Sequence, residues 1–210
     1  MKIAFVGTHG VGKTTLCFDL TAQLKRRSLN ADMVKEVARA SPLPVNRKTS
    51  REAQLWILTT QVAEEIRASA HSDVVVCDRA ALDNYAYFFL ACGRDASVER
   101  FVAMWMKTYD VLIRVPIIAQ AQDDGFRDTD SVFQREIDRK VQSLLIENRT
   151  AFIDLESLPR ERWADVALAG VLEHPGLRQA RLWATRRRPE TPGDRRACRS
   201  SRAPSARSRP

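Results

Sequence analysis

The 210-residue sequence lacks the cysteine and histidine patterns that hold a structural metal or a disulfide framework. Its four cysteines, Cys17, Cys77, Cys92 and Cys198, form no C-x-x-C pair, and only three histidines occur in the chain. Zinc knuckles need closely spaced ligands, and disulfide scaffolds need paired cysteines. Neither class of site is therefore expected, and we predict that the first three cysteines are small buried apolar residues.

Long apolar runs are also missing from the chain. No stretch approaches the roughly 20 apolar residues that a membrane-spanning helix needs. The opening segment "MKIAFV" is too short, and too soon interrupted by glycines, to resemble a secretion signal. With 44% hydrophobic and 29% charged residues, the composition is ordinary for a globular protein. We therefore expect a cytoplasmic protein that makes no membrane contact.

The net charge of +8 is concentrated at one end of the sequence. Residues 184–210 contain nine Arg, no Lys, one Glu and one Asp, so +7 of the charge lies there. This Ser- and Pro-rich segment lacks large apolar residues, and we predict a folded domain over residues 1–173 and a mostly disordered basic tail over 174–210. The tail could bind nucleic acid or be a solvated appendage. The absence of aromatic residues between the arginines favours the appendage.

The segment "GTHGVGKTT" follows the apolar run "KIAFV" and satisfies the pattern of a phosphate-binding loop. In such a loop backbone N–H groups surround phosphate oxygens, and a side chain at Gly12 would obstruct their approach. Lys13 would contact the β- and γ-phosphates, Thr14 would offer a hydroxyl to Mg²⁺, and the following helix would direct its positive end at the phosphates. His9, at a variable position, is expected to face outward. The predicted nucleotide-binding residues are Gly7, Thr8, His9, Gly10, Val11, Gly12, Lys13, Thr14 and Thr15.

Strand-like runs alternate with helical segments along the rest of the domain. The runs are "KIAFV", "ADMVKEV", "DVVVCD", "DVLIRVPI" and "AFIDL". Such alternation predicts a parallel sheet with helices on both of its faces. In the longest helical segment, "AQLWILTTQVAEEIRASA", an apolar stripe is expected from Leu55, Leu58, Val62 and Ile66.

Two classes of phosphate-loop protein lack support in the sequence. A GTPase needs a guanine-specifying Asn-Lys-x-Asp after a late strand, and the nearest string, "VNRKTS", has a different order and lies too early. An ATPase machine usually ends its metal-side strand in Asp-Glu, where the glutamate polarises water. Here "DVVVCDRA" ends in Asp78-Arg79, so a cation stands in the place of the hydrolytic carboxylate.

At these motifs the chain resembles the AAA-type P-loop kinase-like proteins that include the nicotinamide riboside kinase domain of NadR. More distantly, it is similar to deoxynucleoside and thymidylate kinases. The resemblance spans about residues 1 to 172 and rests on "GTHGVGKTT", "VVVCDR", "ALDNYAYF" and "DDGFRDTDSVFQREID". It implies a three-layer α/β/α P-loop NTPase fold with a five-stranded parallel sheet of order 2-3-1-4-5 and a lid at about residues 117–147. ATP would lie on the first loop, with the acceptor in the crevice beyond the carboxyl ends of the strands.

Charged residues at the strand ends should face this crevice. Asp78 could orient Mg²⁺ through water, accept a proton from the acceptor hydroxyl, or cap a helix. The resemblance implies that Glu36 serves as the base and that Arg79 holds the acceptor or a phosphate, although Glu36 could also face water and Arg79 could pair with it. Arg39 is a further candidate for acceptor binding. Asp154, in the fifth strand, is also expected to face the crevice.

The acceptor pocket and the lid supply the remaining candidates. Gln61, on the long helix, could read the edge of a base, and Asp83 with the two tyrosines that follow it could line the acceptor pocket. In the lid, Arg127 would compensate the charge that spreads over the γ-phosphate during transfer. Arg135 and Arg139 lie one helical turn apart and could do the same, or could form an ordinary solvated helix face.

The sequence therefore predicts an ATP- and Mg²⁺-dependent kinase that phosphorylates a small molecule, with a nucleoside or nucleotide-like acceptor. One alternative is a regulatory protein that binds ATP or GTP, has no acceptor and passes its state to a partner. Another is a kinase that acts on modified bases in DNA, in which the arginine-rich tail would hold backbone phosphates.

Overall fold

The computed structural model describes residues 1–45, 47, 49–118 and 130–177. Within these residues, five strands form one parallel sheet in the order β2-β3-β1-β4-β5, as predicted. The strands are β1 (Lys2–Val6), β2 (Ala31–Val34), β3 (Val74–Asp78), β4 (Val111–Arg114) and β5 (Ile153–Asp154). The apolar runs predict all five, but β2 stops earlier than expected because a short 3₁₀ turn, Val37–Ala40, follows Glu36.

Helices cover both faces of the sheet and complete the predicted three-layer architecture. They are α1 (Lys13–Arg26), α2 (Arg51–His71), α3 (Ala81–Cys92), α4 (Ala96–Met106), α5 (Ser131–Glu147) and α6 (Trp163–Glu173). Alternate residues of β1 enter the two cores, since side chains of a strand point to opposite faces. Ala4 and Val6 pack in the core beneath α2–α5, whereas Ile3 and Phe5 pack in the core beneath α1 and α6.

The inward face of α2 differs from the predicted apolar stripe. Ile66 is 56% exposed, whereas Gln54, Gln61 and Glu65 on the same helix are buried. The prediction for Ile66 is wrong because the phase of α2 is set partly by polar side chains that find partners inside the domain. A stripe drawn from apolar residues alone does not include them.

Two further predictions need correction. Cys17 and Cys77 are buried as expected, but Cys92 is exposed because it lies in the last turn of α3, before Gly93 ends the helix. The packed domain also extends past residue 173, since Leu177 is buried in the core beneath α1 and α6. The remainder of the predicted tail, residues 178–210, lies outside the described residues. None of the described helices is both long enough and apolar enough to span a membrane.

Candidate phosphate-binding site

The loop from Gly7 to Gly12 joins the carboxyl end of the central strand β1 to the amino terminus of α1. Gly7 has φ +143° and packs against β4, because a Cβ atom on it would lie 2.5 Å from the Val115 carbonyl oxygen. Gly12, at φ +96°, is the residue that precedes α1. The loop therefore lies at the positive end of a 14-residue helix, where backbone N–H groups and the helix dipole favour an anion.

Lys13 is the first residue of α1 and is only 5% exposed. Its Nζ donates to the Gly7 carbonyl oxygen at 2.8 Å and to that of Thr8. Burial, followed by the nearby positive charge of Arg79, lowers the pKa of Lys13 to about 8. A negatively charged ligand beside the ammonium would oppose this shift, so the site favours a phosphate.

Asp78 and Thr14 meet at the tip of β3. The Thr14 Oγ1 donates to Asp78 Oδ2 at 2.6 Å, and Asp78 is 2% exposed. Burial raises the pKa of Asp78, although Lys13 and the Thr14 hydroxyl act in the opposite direction. A hydroxyl and a carboxylate are hard oxygen ligands suited to Mg²⁺.

The described residues contain no group of three or more His, Cys, Asp or Glu side chains that could hold a metal by themselves. Mg²⁺ in nucleotide sites usually takes one or two protein ligands and completes its octahedron with phosphate oxygens and water. The donor set at Thr14 and Asp78 is therefore compatible with Mg²⁺ held jointly by protein and nucleotide.

Arg79 and Glu36 form a two-pronged ion pair beside Lys13. The Arg79 Nε and Nη2 donate to Glu36 Oε1 at 2.9 and 2.6 Å, and the Arg39 Nε donates to Glu36 Oε2 at 3.1 Å. Burial alone would raise the pKa of Glu36, but Arg79 and Lys13 outweigh it and lower the pKa to about 2. Glu36 is thus a weak proton acceptor that stays ionised.

The third nitrogen of the guanidinium, Arg79 Nη1, is buried and has no hydrogen-bond partner among the described residues. Buried N–H groups are rarely left unpaired, and a charged one is costly to leave so. The pocket that Arg79 lines is formed by His9, Gly10, Gly12, Lys13, Thr14, Glu36, Asp78 and Arg79. The structure thus brings together the predicted residues of the loop and of the β2 and β3 ends.

Asp83 and Gln61, both predicted to contact the acceptor, lie behind this pocket. Asp83 is fully buried, and its two carboxylate oxygens accept from the backbone N–H groups of Gly7 at 2.7 Å and Ala80 at 2.8 Å. Gln61 is also fully buried, with its Nε2 directed at Glu65 Oε1 and the Arg79 carbonyl oxygen. We therefore correct the prediction: these side chains brace the backbone of the site.

His9 faces inward, contrary to the prediction. It is 5% exposed, and its Nδ1 lies 2.8 Å from the Tyr87 hydroxyl. Its ring lies 5.8 Å from that of Phe133, and the Gln134 Nε2 donates to the His9 carbonyl oxygen at 3.0 Å. The variable position of the loop is thus covered by α3 and α5.

The predicted lid divides into two parts. Residues 119–129, including Arg127, lie outside the described residues. The rest is largely α5, in which Arg135 and Arg139 are exposed while Gln134 and Asp138 turn toward the loop and the sheet. Residues 134, 137, 138 and 141 share one face of a helix with 3.6 residues per turn, so Arg135 and Arg139 face away from the phosphate pocket.

Arg114, at the carboxyl end of β4, is the main charged residue that the sequence analysis missed. It is 2% exposed, and its Nη1 donates to Asp154 Oδ2 at 3.0 Å and to Glu156 Oε2 at 2.7 Å. Its Nη2 donates to Asp138 Oδ2 at 3.3 Å. Asp154 therefore pairs with Arg114 at the edge of the sheet. A single arginine inside the apolar run "DVLIRVPI" is the signal that indicates a buried ion pair there.

Two clefts adjoin the phosphate pocket. One, of about 550 Å³, is lined by Arg47, Tyr87, Leu90, Ala91, Asp130, Val132, Phe133 and Glu136. Tyr87 separates it from the phosphate pocket, since the Arg79 guanidinium lies 5.0 Å from the Tyr87 ring centroid. The other, of about 200 Å³, lies between α1 and α6 and is lined by Val11, Gly12, Thr15, Leu16, Asp19, Arg160, Glu161, Trp163 and Ala164.

Comparison with known proteins identifies a family and similar folds. The family model described as an AAA domain matches residues 2–162. Among solved structures, deoxyadenosine kinase from M. mycoides with the products dCMP and a flexible dCDP bound is 15% identical, with a TM-score of 0.58 over 82% of this chain and 99% of that chain. The NadR protein in complex with NR is 22% identical, with a TM-score of 0.64 over 83% of this chain and 51% of that chain, or about half of NadR. At these identities the likeness concerns the fold. No curated protein sequence gives a significant match.

Proposed function

Because the chain belongs to the AAA domain family, we propose that it is an ATP- and Mg²⁺-dependent phosphotransferase that moves the γ-phosphate of ATP to a hydroxyl of a small molecule. The observation that carries this proposal is the pocket in which Lys13, Asp78 and Arg79 converge, where Arg79 Nη1 has no hydrogen-bond partner in the described part of the chain. A phosphoryl group entering this pocket would meet two cations, Lys13 and Arg79, and two carboxylates, Asp78 and Glu36, of which Glu36 is already paired with Arg79. Such a set of charges suits transfer between two bound compounds.

On the donor side, the loop amides and Lys13 would hold the β- and γ-phosphates, and Thr14 and Asp78 would hold Mg²⁺. Mg²⁺, when bound, neutralises charge on the phosphate oxygens. The cleft between α1 and α6 supports a place for the base of ATP, since it opens directly beside Gly12. The Arg160 Nη2 lies 3.5 Å from where a Cβ of Gly12 would be.

On the acceptor side, the larger cleft supports a nucleoside or nucleotide-like compound. Its aromatic side chains, Tyr87 and Phe133, offer ring faces to a planar group. Arg79, on the other side of Tyr87, would hold the transferred phosphoryl group or the acceptor hydroxyl. Two similar structures hold compounds of this class, NR in NadR and dCMP with dCDP in deoxyadenosine kinase.

Catalysis in this proposal is mainly positioning and electrostatic stabilisation. Glu36, with its pKa lowered to about 2, would fix the orientation of Arg79. If Asp78 does not contact Mg²⁺ directly, its pKa, raised by burial, makes it better matched than Glu36 to accept a proton from the acceptor. Arg127, in the segment that precedes α5, would add a further positive charge on closure.

A regulatory nucleotide-binding protein is the second candidate, favoured by one contact. The Gln134 side chain of α5 donates to the carbonyl oxygen of His9 inside the phosphate loop. A change in the loop on nucleotide binding would therefore reach α5 directly, as a switch requires. Such a protein would bind nucleotide without an acceptor.

An acceptor screen distinguishes the two candidates. Purified protein is mixed with Mg²⁺ and ATP, then with pooled nucleosides, nucleotides and nicotinamide riboside, and ADP release is measured with and without each pool. We expect ADP release that depends on one pool. Tight ATP binding, with ADP release that no pool alters, would support the switch and overturn the phosphotransferase.

Substitution of Lys13 by Met tests the phosphate site through two effects of opposite sign. We expect Lys13→Met to abolish ATP-dependent turnover because the contact to the β- and γ-phosphates is lost. We also expect it to stabilise the nucleotide-free protein, since a buried ammonium is removed while the apolar stem is retained. A pKa of about 8 instead of 10.5 corresponds to roughly 3 kcal/mol at neutral pH.

The pH dependence and a matched control complete this test. The folded Lys13 loses its proton near pH 8 and the unfolded one near 10.5, so wild-type stability should rise toward that of Lys13→Met across this window. Lys25→Met, at the exposed last turn of α1, should change neither activity nor stability appreciably. Retained turnover in Lys13→Met would contradict the site assignment.

A further inference from the structure

The turn that carries Arg79, residues 78–81, has an unusual backbone held by many contacts. Arg79 has φ +93°, a conformation that residues other than glycine rarely adopt and that persists only when its surroundings enforce it. The Arg79 N–H donates to the Phe5 carbonyl oxygen at 3.2 Å, and the Ala80 N–H donates to Asp83 Oδ2 at 2.8 Å. These two contacts fix one side of the turn to β1 and to α3.

Two side chains from outside the turn hold its other polar groups. The Gln61 Nε2, from α2, donates to the Arg79 carbonyl oxygen at 3.3 Å. The Tyr109 hydroxyl, from the segment after α4, accepts from the Ala81 N–H at 3.0 Å. The Arg79–Ala80 and Ala80–Ala81 peptides are thus each bonded to a side chain from elsewhere in the fold, the buried Gln61 and the partly buried Tyr109.

Both of these side chains converge on one atom, Glu65 Oε1. Gln61 Nε2 donates to it at 2.9 Å and the Tyr109 hydroxyl donates to it at 2.6 Å. Burial, followed by the Glu65 charge, raises the pKa of Tyr109 well above its usual value, so the hydroxyl keeps the proton that it donates. Glu65 is fully buried.

The other oxygen, Glu65 Oε2, takes donors that have no contact with the turn. The Lys2 Nζ donates to it at 2.8 Å and the Trp105 Nε1 at 2.7 Å. The ammonium of Lys2 also lies 4.3 Å from the Trp105 ring centroid. Four donors among the described residues therefore hold the buried carboxylate: Lys2 and Trp105 fix it in the domain, and Gln61 and Tyr109 connect it to the turn.

We propose that Glu65, Gln61 and Tyr109 are positioning residues that hold the 78–81 turn so that the Arg79 side chain stays directed into the phosphate pocket. The proposal rests on the proposed function, because it assigns Arg79 a ligand there. Its physical basis is pre-organisation: a guanidinium on a fixed backbone loses little freedom when a phosphate binds. Glu65, in this arrangement, acts on the ligand only through Arg79.

A matched pair of variants tests this proposal. Tyr109→Phe and Trp105→Phe each remove one hydrogen-bond donor of Glu65, but only Tyr109→Phe also releases the Ala81 N–H. Amide hydrogen exchange at Ala81 and acceptor-dependent kcat are measured in both, with the KM for ATP. We expect Tyr109→Phe to speed exchange and to lower kcat, each by about tenfold, with the KM for ATP unchanged. Trp105→Phe should leave the exchange rate and kcat close to wild type.

Combination with Arg79→Lys separates positioning from a general loss of stability. If Tyr109 acts through Arg79, then Tyr109→Phe should lower kcat no further once Arg79→Lys is present. The same tenfold loss in both backgrounds, or equal Ala81 exchange in the two aromatic variants, would overturn the proposal. Gln61→Met, which releases the other contact to the turn, replaces Tyr109→Phe if that variant does not fold.

Failure of the proposed function would be recognised separately. Absence of acceptor-dependent turnover in the wild-type protein would count against the phosphotransferase. The exchange rate of the Ala81 amide would still decide whether the Glu65 contacts hold the turn, since that measurement needs neither acceptor nor nucleotide.

Discussion

Arg79 and Arg114 occupy neighbouring positions on either side of the central strand, yet their surroundings differ. Arg79 follows Asp78, which pairs with Phe5 of β1, and Arg114 pairs with Val6 of the same strand. Both arginines are almost fully buried, at 5% and 2% exposure. The two residues are therefore of the same type, are buried to nearly the same extent and lie at nearly the same position along neighbouring strands.

The difference lies in the number of carboxylates around each guanidinium. Among the residues that the structure describes, Arg79 pairs with one carboxylate, Glu36, has the cation Lys13 nearby, lines the phosphate pocket and has no hydrogen-bond partner at Nη1. Arg114 contacts three carboxylates, those of Asp138, Asp154 and Glu156. A partly unpaired guanidinium can receive an anion, whereas one surrounded by acids joins α5 to the ends of β4 and β5. Burial alone does not distinguish these two roles, but the local charge balance does.

The largest expected effect is that of Arg79→Lys on activity. Lysine keeps a positive charge for Glu36, but its three donors share one nitrogen and do not form the planar fork that reaches a carboxylate and a phosphate at the same time. We expect acceptor-dependent kcat to fall about 10³-fold or more, as for other arginines that contact a transferred phosphoryl group. Steady-state kinetics with thermal unfolding as a control would check this. A loss below about tenfold would remove Arg79 from the catalytic role.

Substitution of Arg114 should lower stability and leave activity unchanged, the opposite of what is expected for Arg79. Arg114→Met leaves Asp138 largely buried without its cation, whereas Asp154 and Glu156 are exposed enough to be rehydrated. We expect unfolding free energy to fall by roughly 3 kcal/mol, with activity per folded molecule retained. Urea unfolding measures the free energy of unfolding. Steady-state kcat, divided by the fraction of protein that is folded, measures the activity per folded molecule.

A surface arginine provides the control for this variant. Arg67→Met, at an exposed ion pair with Glu64, should change the unfolding free energy by less than about 0.5 kcal/mol. If Arg114→Met reduced kcat as much as Arg79→Lys does, the distinction between the two ends of the sheet would be wrong.

The smallest expected effect concerns the pH dependence of stability at Glu36. Its pKa is lowered from 4.5 to about 2, so ionised Glu36 contributes stability above pH 4.5 that is lost as pH falls toward 2. Glu36→Gln should be less stable than wild type by up to about 3 kcal/mol at pH 7, and the gap should narrow between pH 4.5 and 2. Unfolding curves across this range measure the gap. For Glu64→Gln, at a surface position, the difference in unfolding free energy from wild type should not change over this pH range. A difference for Glu36→Gln that is independent of pH would refute the ion-pair assignment.

The sequence predicts the fold well because each strand is a short apolar run and each crossover helix lies between two such runs. The phosphate loop is also predictable from the sequence, since its glycines, Lys13 and Thr14 lie close together in the chain. Asp78 and Arg79 are found because they end a strand. Local pattern is sufficient for these residues, and strand order follows from the resemblance.

Contacts between distant segments could not be predicted in this way. Glu65 meets Lys2 and Trp105, which lie 63 and 40 positions away, and nothing in the helical pattern of α2 marks Glu65 as buried. His9 was expected to face outward because the residues that cover it, Tyr87 and Gln134, come from two distant helices. Asp83 was assigned to the acceptor pocket because its contact with the Gly7 N–H joins positions 76 residues apart. The two polar residues that α5 turns inward, Gln134 and Asp138, were not identified for the same reason, since their partners are the phosphate loop and Arg114.

The two glycines of the phosphate loop carry different kinds of information. Gly7 is required by the residue that follows β4, since the Val115 carbonyl leaves no room for a Cβ; at Gly12 the constraint is its φ of +96°, because the nearest described atom, Arg160 Nη2, would lie 3.5 Å from a Cβ. A homologue that had given up nucleotide chemistry would still need Gly7 to fold, but could exchange Lys13, and could exchange Gly12 if the loop backbone also left this φ. In a survey of related sequences, Gly7 therefore indicates a shared fold. Loss of both Gly12 and Lys13 would identify relatives that keep the fold but have lost the nucleotide chemistry.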